Sequence, residues 1–177
     1  MEIRKRYIFL IFVLLIVAWL LQDKAMKYYY DTHNYAGAEK LKKIVILPMW
    51  QHNFILTNGE IPAAGKIDFY IDMSDSVHTN ITYEDGVFTI TAPLKDNIQF
   101  DLSTTTEIEQ GVMAGFYNKN LIINRLSNKV LVQEEPSALA NIKSVTASIQ
   151  EQQLSKLVGK KVIITLTKAT KSTTPNN

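Results

Sequence analysis

The chain contains no cysteine. That excludes disulfides, thiolate metal sites, thiol nucleophiles and a lipidated N-terminal cysteine. It leaves the redox compartment open, because an oxidising environment permits disulfides without requiring them. Histidine is scarce: His33, His52 and His78 are the only three, and none has a second histidine at metal-ligand spacing. Zinc needs three or four converging ligands, so solvated loop histidines and no metal or other cofactor are the expectation. GxSxG, a phosphate-binding glycine loop, HExxH and EF-hand spacing are also missing. Neither sign of charge dominates. With 19 basic residues against 17 acidic ones, the net charge of +2 gives no reason to expect nucleic acid as a partner.

Apolar residues make up 46% of the 177, an ordinary share for a globular protein, but they are unevenly placed. Tyr7 to Leu21 is an unbroken apolar run behind Arg4, Lys5 and Arg6. A helix over that run spans about 22 Å, short of a bilayer core of about 30 Å. Snorkelling Arg and Lys, with Trp19 at the interface, make up the difference. A buried core helix is disfavoured, because the run is apolar on every face. A cleaved signal peptide shares the basic flank and the apolar length. Against cleavage, Asp23 would sit three residues before a cut after Ala25, where a small residue is wanted, and Ala36-Gly37-Ala38 lies too far downstream. The preferred reading is an uncleaved signal anchor defined by Arg4, Lys5, Arg6, Tyr7, Trp19 and Leu21. Residues 1–6 then stay cytoplasmic, 7–21 cross the cell membrane once, and the rest is exported, to the periplasm in a Gram-negative cell.

Residues 22–43 form a juxtamembrane stalk. Its Tyr28, Tyr29 and Tyr30 either lie at headgroup level as an interfacial belt or pack on the domain. Residues 44–168 form a β-rich domain outside the cytoplasm, large enough to bury a core. Residues 169–177 are a polar tail expected to be disordered.

Within the domain the strongest local signal is a hairpin over Thr79 to Ala92. Asp85-Gly86 suits a type I′ turn, which needs positive φ at both central positions. Tyr83 then faces Phe88 and Ile81 faces Ile90, giving one apolar side; Asn80, Thr82, Glu84, Thr89 and Thr91 line the other. Ile67, Phe69, Ile71 and Met73 alternate with Lys66, Asp68, Tyr70 and Asp72. Ile98, Phe100 and Leu102 repeat the pattern after a turn at Pro93 to Asn97. Further strands are expected at Ile44–Leu47, Asn53–Thr57, Leu121–Asn124, Lys129–Gln133 and Lys161–Thr167. One helix is expected from Pro136, with Leu139, Ile142, Val145 and Ile149 on its buried face and a left-handed cap at Gly159. The fold class is α+β, mainly β: an N-terminal transmembrane helix, then an antiparallel sheet with one long C-terminal helix packed on it.

No reaction is indicated, and the chain reads as no enzyme. Asp68 and Asp72 lie on one strand face about 13 Å apart at 3.3 Å per residue, too far for a coupled carboxylate pair. Glu107 and Glu109 read as an exposed strand edge, and Ser103 to Thr106 as a loop. Asn80-Ile81-Thr82 is a glycosylation sequon that matters only in a eukaryotic secretory pathway.

From Gly65-Lys66-Ile67-Asp68 to Ile90-Thr91-Ala92-Pro93-Leu94 the chain resembles an uncharacterised family of membrane-anchored bacterial envelope domains. The family's long helical C-terminal segment is not matched. The resemblance implies a location and no activity. The leading expectation is a non-enzymatic envelope protein, a structural or accessory subunit with protein partners in the membrane. The alternative is a module that holds a lipid or other apolar ligand between helix and sheet, drawing on Phe69, Tyr83, Phe88, Phe100 and Phe116. A solid core with an exposed apolar patch favours the first; a pocket with converging polar groups favours the second.

Overall fold

The computed structural model describes residues 36–58 and 61–167. The anchor residues Arg4, Lys5, Arg6, Tyr7, Trp19 and Leu21, the belt Tyr28, Tyr29 and Tyr30, and the tail 169–177 lie outside the described residues. Among the described residues no helix is long and apolar enough to cross a membrane.

The fold is α+β, with two three-stranded sheets and a long C-terminal helix. The described chain opens in a helix, α1 (36–42), followed by β1 (Ile46–Leu56) and β2 (Ala63–Asp72). The hairpin β3 (Asn80–Glu84) and β4 (Val87–Pro93) comes next, then β5 (Lys95–Phe100). Two helices follow, α2 (Leu102–Met113) and α3 (Lys119–Asn141). A π-helical turn (Ile142–Thr146) joins α3 to α4 (Ala147–Val158), and β6 (Lys161–Thr167) ends the domain. Sheet order is β1-β2-β5 in one and β3-β4-β6 in the other.

The hairpin forms as its turn chemistry dictates. Asp85 and Gly86 both have positive φ, 50° and 82°, and Tyr83 pairs with Phe88 and Ile81 with Ile90. The alternation in β2 is equally direct: Ile67, Phe69 and Ile71, with Met73 just beyond the strand, are all buried. Gly159 takes the left-handed cap, with φ 70°.

The single antiparallel sheet is corrected to two. Four pairings are resolved, and β4–β6 is parallel. A parallel return needs a long crossover, and the chain supplies one through β5 and the helices before β6 lies beside β4. The free edge of β6 is covered by α4. Ser155 Oγ accepts the Val162 N–H at 2.9 Å and Glu151 Oε1 accepts the Ile164 N–H at 2.8 Å. Edge groups satisfied this way are not available to another strand.

The stretch Leu102 to Asn141 is helical, so several strand and loop expectations are corrected. Asp101 caps α2, its carboxylate accepting the Thr104 N–H at 2.8 Å. Ser103 to Thr106 therefore open a helix and Glu107 and Glu109 lie on it, while Leu102 is exposed. Asn118 caps α3 by accepting the Leu121 N–H at 3.2 Å. The expected strands Leu121–Asn124 and Lys129–Gln133 both lie in α3, and Pro136 falls inside the helix. Proline there removes the bond to the Val132 carbonyl. Val132 faces water, which can take up that acceptor. Helix exceeds strand in the described chain, so "mainly β" does not hold.

The buried positions of α3 explain why local pattern misled. Ile122, Leu126, Val130, Glu134, Ala138 and Ile142 recur at every fourth residue. At 100° per residue such a stripe winds about 40° per step around the helix. Its start packs with Leu56, Ile61, Ala63 and Ile108 in a small core, and its end joins the main core. That main core unites both sheets: Ile67 and Ile71 from one, Phe88, Ile90 and Val162 from the other. It also takes in α1, where Leu41 is fully buried and Ala38 packs alongside, so the packed body includes residues assigned above to the stalk. At the π-turn the Ala147 N–H bonds to the Ile142 carbonyl. The extra residue turns Val145 and Ile149 outward, correcting their expected burial, and leaves Leu154 on the core.

Candidate functional site

Two backbone irregularities meet at one groove. The first is in β1, one continuous strand in place of the two expected at Ile44–Leu47 and Asn53–Thr57. The register with β2 slips between Pro48 and Trp50, leaving Met49 without a partner. The slip reverses the alternation, so Leu47 and Met49 point inward before it and Phe54 and Leu56 after it. The second is the π-turn. Gln150 links the two, donating from Nε2 to the Pro48 carbonyl at 3.0 Å. Between them lies a groove of about 520 Å³ lined by Ile46, Pro48, Met49, Trp50, Gln51, Asp68, Phe69, Tyr70, Asn97, Thr146 and Gln150. Bulges and π-turns each weaken regular hydrogen bonding and recur beside functional sites.

Trp50 forms one wall. Its ring stacks on His52, centroids 5.1 Å apart and planes 25° apart, and meets Phe69 at 5.8 Å. His52 Nδ1 lies 3.0 Å from Glu134 Oε2, and Gln133 Nε2 donates to Glu134 Oε1 at 2.9 Å. Glu134 is buried at a stripe position of α3, whereas His52 is half exposed. A buried carboxylate needs such partners, since leaving it unpaired is costly. The stack and the pair together fix the Trp50 wall. Among the described residues no hydroxyl or second imidazole is hydrogen-bonded to His52.

The carboxylates singled out by sequence fall into separate ion pairs. Asp68 Oδ1 lies 3.1 Å from Lys66 Nζ. Asp72 and Asp75 share Lys95, at 3.0 and 2.8 Å, and Asp75 also meets His78 Nδ1 at 3.0 Å. Bonds from Ser74 and then Lys95 hold the Asp72 carboxyl below the usual range. Asp75 is held low by Lys95 and His78, and Lys95 is raised by Asp75 and Asp72. This network ties the 73–79 loop to β5. Across β5, Asp96 is pushed up, first by the protein atoms that crowd water from its carboxyl and then by Glu135, although the residue as a whole lies at the surface. Among the described residues no group of three or more His, Cys, Asp or Glu could hold a metal ion. His33 lies outside the described residues.

Four of the five aromatic side chains named for an apolar ligand pack on other rings. Phe54 meets Phe100 edge-on at 5.9 Å and Tyr83 meets Phe88 at 4.6 Å, while Phe69 is buried. Phe116 is the exception, 79% exposed, with Met113 at 89% and Leu121 at 51% beside it in sequence. The turn carrying Phe116 is held in place: the N–H groups of both Phe116 and Tyr117 bond to the Gly111 carbonyl. Sequence reasoning missed Trp50 and Glu134. The usable signal for Glu134 was a lone charge on a four-residue apolar repeat.

The described residues form an α+β domain with a groove on its surface. No protein-family model, curated protein or solved structure matches the chain.

Proposed function

We propose that this chain is a non-enzymatic, membrane-tethered accessory domain that acts by contact with a protein partner in the cell envelope. The tether is the Tyr7 to Leu21 run behind its basic flank. The observation that carries the contact is the exposure of Met113, Phe116 and Leu121 around the α2–α3 corner, with Phe116 on a turn held by backbone hydrogen bonds. Burying one such side chain is worth roughly 1.5–3 kcal/mol, so a corner of three is a usable anchor for an interface. Tethering to the membrane raises the effective concentration of any neighbour and lowers the affinity the interface needs.

The experiment is site-specific photo-cross-linking of the full chain in its source cells. A photoreactive residue at position 116 should give one discrete protein adduct. The same residue at Glu84, exposed at the end of β3 in the other sheet, should not. Identical adducts from both positions, or adducts to lipid alone, would contradict the reading.

A further inference from the structure

The groove between the β1 bulge and the π-turn has a lining that the contact reading does not use. Tyr70 is a part-exposed aromatic ring on it, on the outer face of β2 with Asp68. Beside it lie the side-chain amides of Gln51 and Asn97, both exposed, for which no hydrogen bond exists among the described residues. Gln150 donates to Pro48 and so keeps its carbonyl oxygen available to accept. Asp68 adds a carboxylate whose charge is offset by Lys66 at 3.1 Å.

Those chemistries suit one class of ligand. A sugar ring has an apolar face of C–H groups and an edge of hydroxyls, each both donor and acceptor. Aromatic rings pack on the face. An amide carries a donor and an acceptor side by side and pairs with neighbouring hydroxyls. An apolar lipid tail would leave the free amides desolvated and unpaired, which is costly. A charged ligand would find no uncompensated partner in Asp68. The volume, about 520 Å³, lies within the usual range of small-ligand sites. Both irregularities of the backbone border this one place, where departures from regular structure commonly mark function.

We propose that this groove is a binding site for a neutral oligosaccharide, with a sugar ring packed on Tyr70 and its hydroxyls held by Gln51, Asn97 and Gln150. The site is separate from the apolar corner, so either can fail without the other.

The full chain, in a detergent without a sugar headgroup, is titrated with chitotetraose, cellotetraose and maltotetraose while the heat of binding is followed by calorimetry. At least one sugar should give a saturable change. Asn97→Ala and Gln51→Ala, both at exposed positions that leave the fold intact, should each weaken it about tenfold. Gln99→Ala, on the same strand outside the groove, should leave it unchanged. The proposal is overturned by no saturable response to any of the three sugars, or by a response indifferent to both amide variants. A response to decaproline and to no sugar also overturns it, and gives the groove to an extended peptide.

Discussion

At the scale of single residues, Gly86 and Asp96 make separable predictions. A Cβ at Gly86 would meet nothing within 4 Å, so its only constraint is φ 82°. Gly86→Val should therefore destabilise the domain by about 1–3 kcal/mol through backbone strain alone, and Gly86→Asn should cost less. The measurement is the urea midpoint of each variant; equal midpoints for Val and Gly would show that the hairpin turn is not held in this conformation. Asp96 works in the opposite sense from Asp72 and Asp75. A carboxyl held low, as in Asp72 and Asp75, adds stability that is complete above the ordinary value of 3.8 and is lost as pH falls towards its lowered value. Both side chains are solvated, so that contribution is small and is screened by salt. A carboxyl pushed up, as in Asp96, costs stability once ionised, and the cost grows as pH rises through its raised value. Asp96→Asn should raise the thermal midpoint at neutral pH and lose that advantage in acid. A stabilisation that is the same at both pH values would exclude titration as its cause.

At the scale of elements, what was legible followed from local rules. The Asp85-Gly86 turn and the alternation of Ile67, Phe69 and Ile71 need only neighbours in sequence, and both appear in the structure as read. The helices α2 and α3 did not yield to the same treatment. Runs such as Leu121-Ile122-Ile123 and Val130-Leu131-Val132 look like strands in a short window. Their helical burial repeat shows only across five turns, and Glu134 interrupts it. The groove was harder still, because its two walls come from a register slip and a π-turn that neither stretch of sequence announces alone. Glu134 also sets a test at this scale. Replacing a buried paired charge by an apolar residue of similar size is often neutral or stabilising by 1–4 kcal/mol. Glu134→Leu completes the stripe and leaves the half-exposed His52 to water, so it should raise stability by about 1 kcal/mol. Glu134→Ala leaves a void and should lower it by about 2 kcal/mol. Chemical denaturation of the two variants decides; a Leu variant weaker than the Ala variant would show that the pair holds the helix down.

At the scale of the whole molecule, two sheets, α1, α3 and α4 close around one main core, while α2 and the start of α3 cover a smaller one. The corner's outer side chains, Met113, Phe116 and Leu121, add nothing to either core and face outward. The central claim is that this corner, carried at the membrane, is where the protein does its work. Met113→Glu with Phe116→Glu changes only exposed positions, so the doubly substituted full chain should keep the wild-type thermal midpoint. Expressed in a deletion strain, it should fail to restore the wild-type phenotype and should no longer co-purify with the partner captured through position 116. Full restoration of the phenotype by that folded variant would contradict the claim.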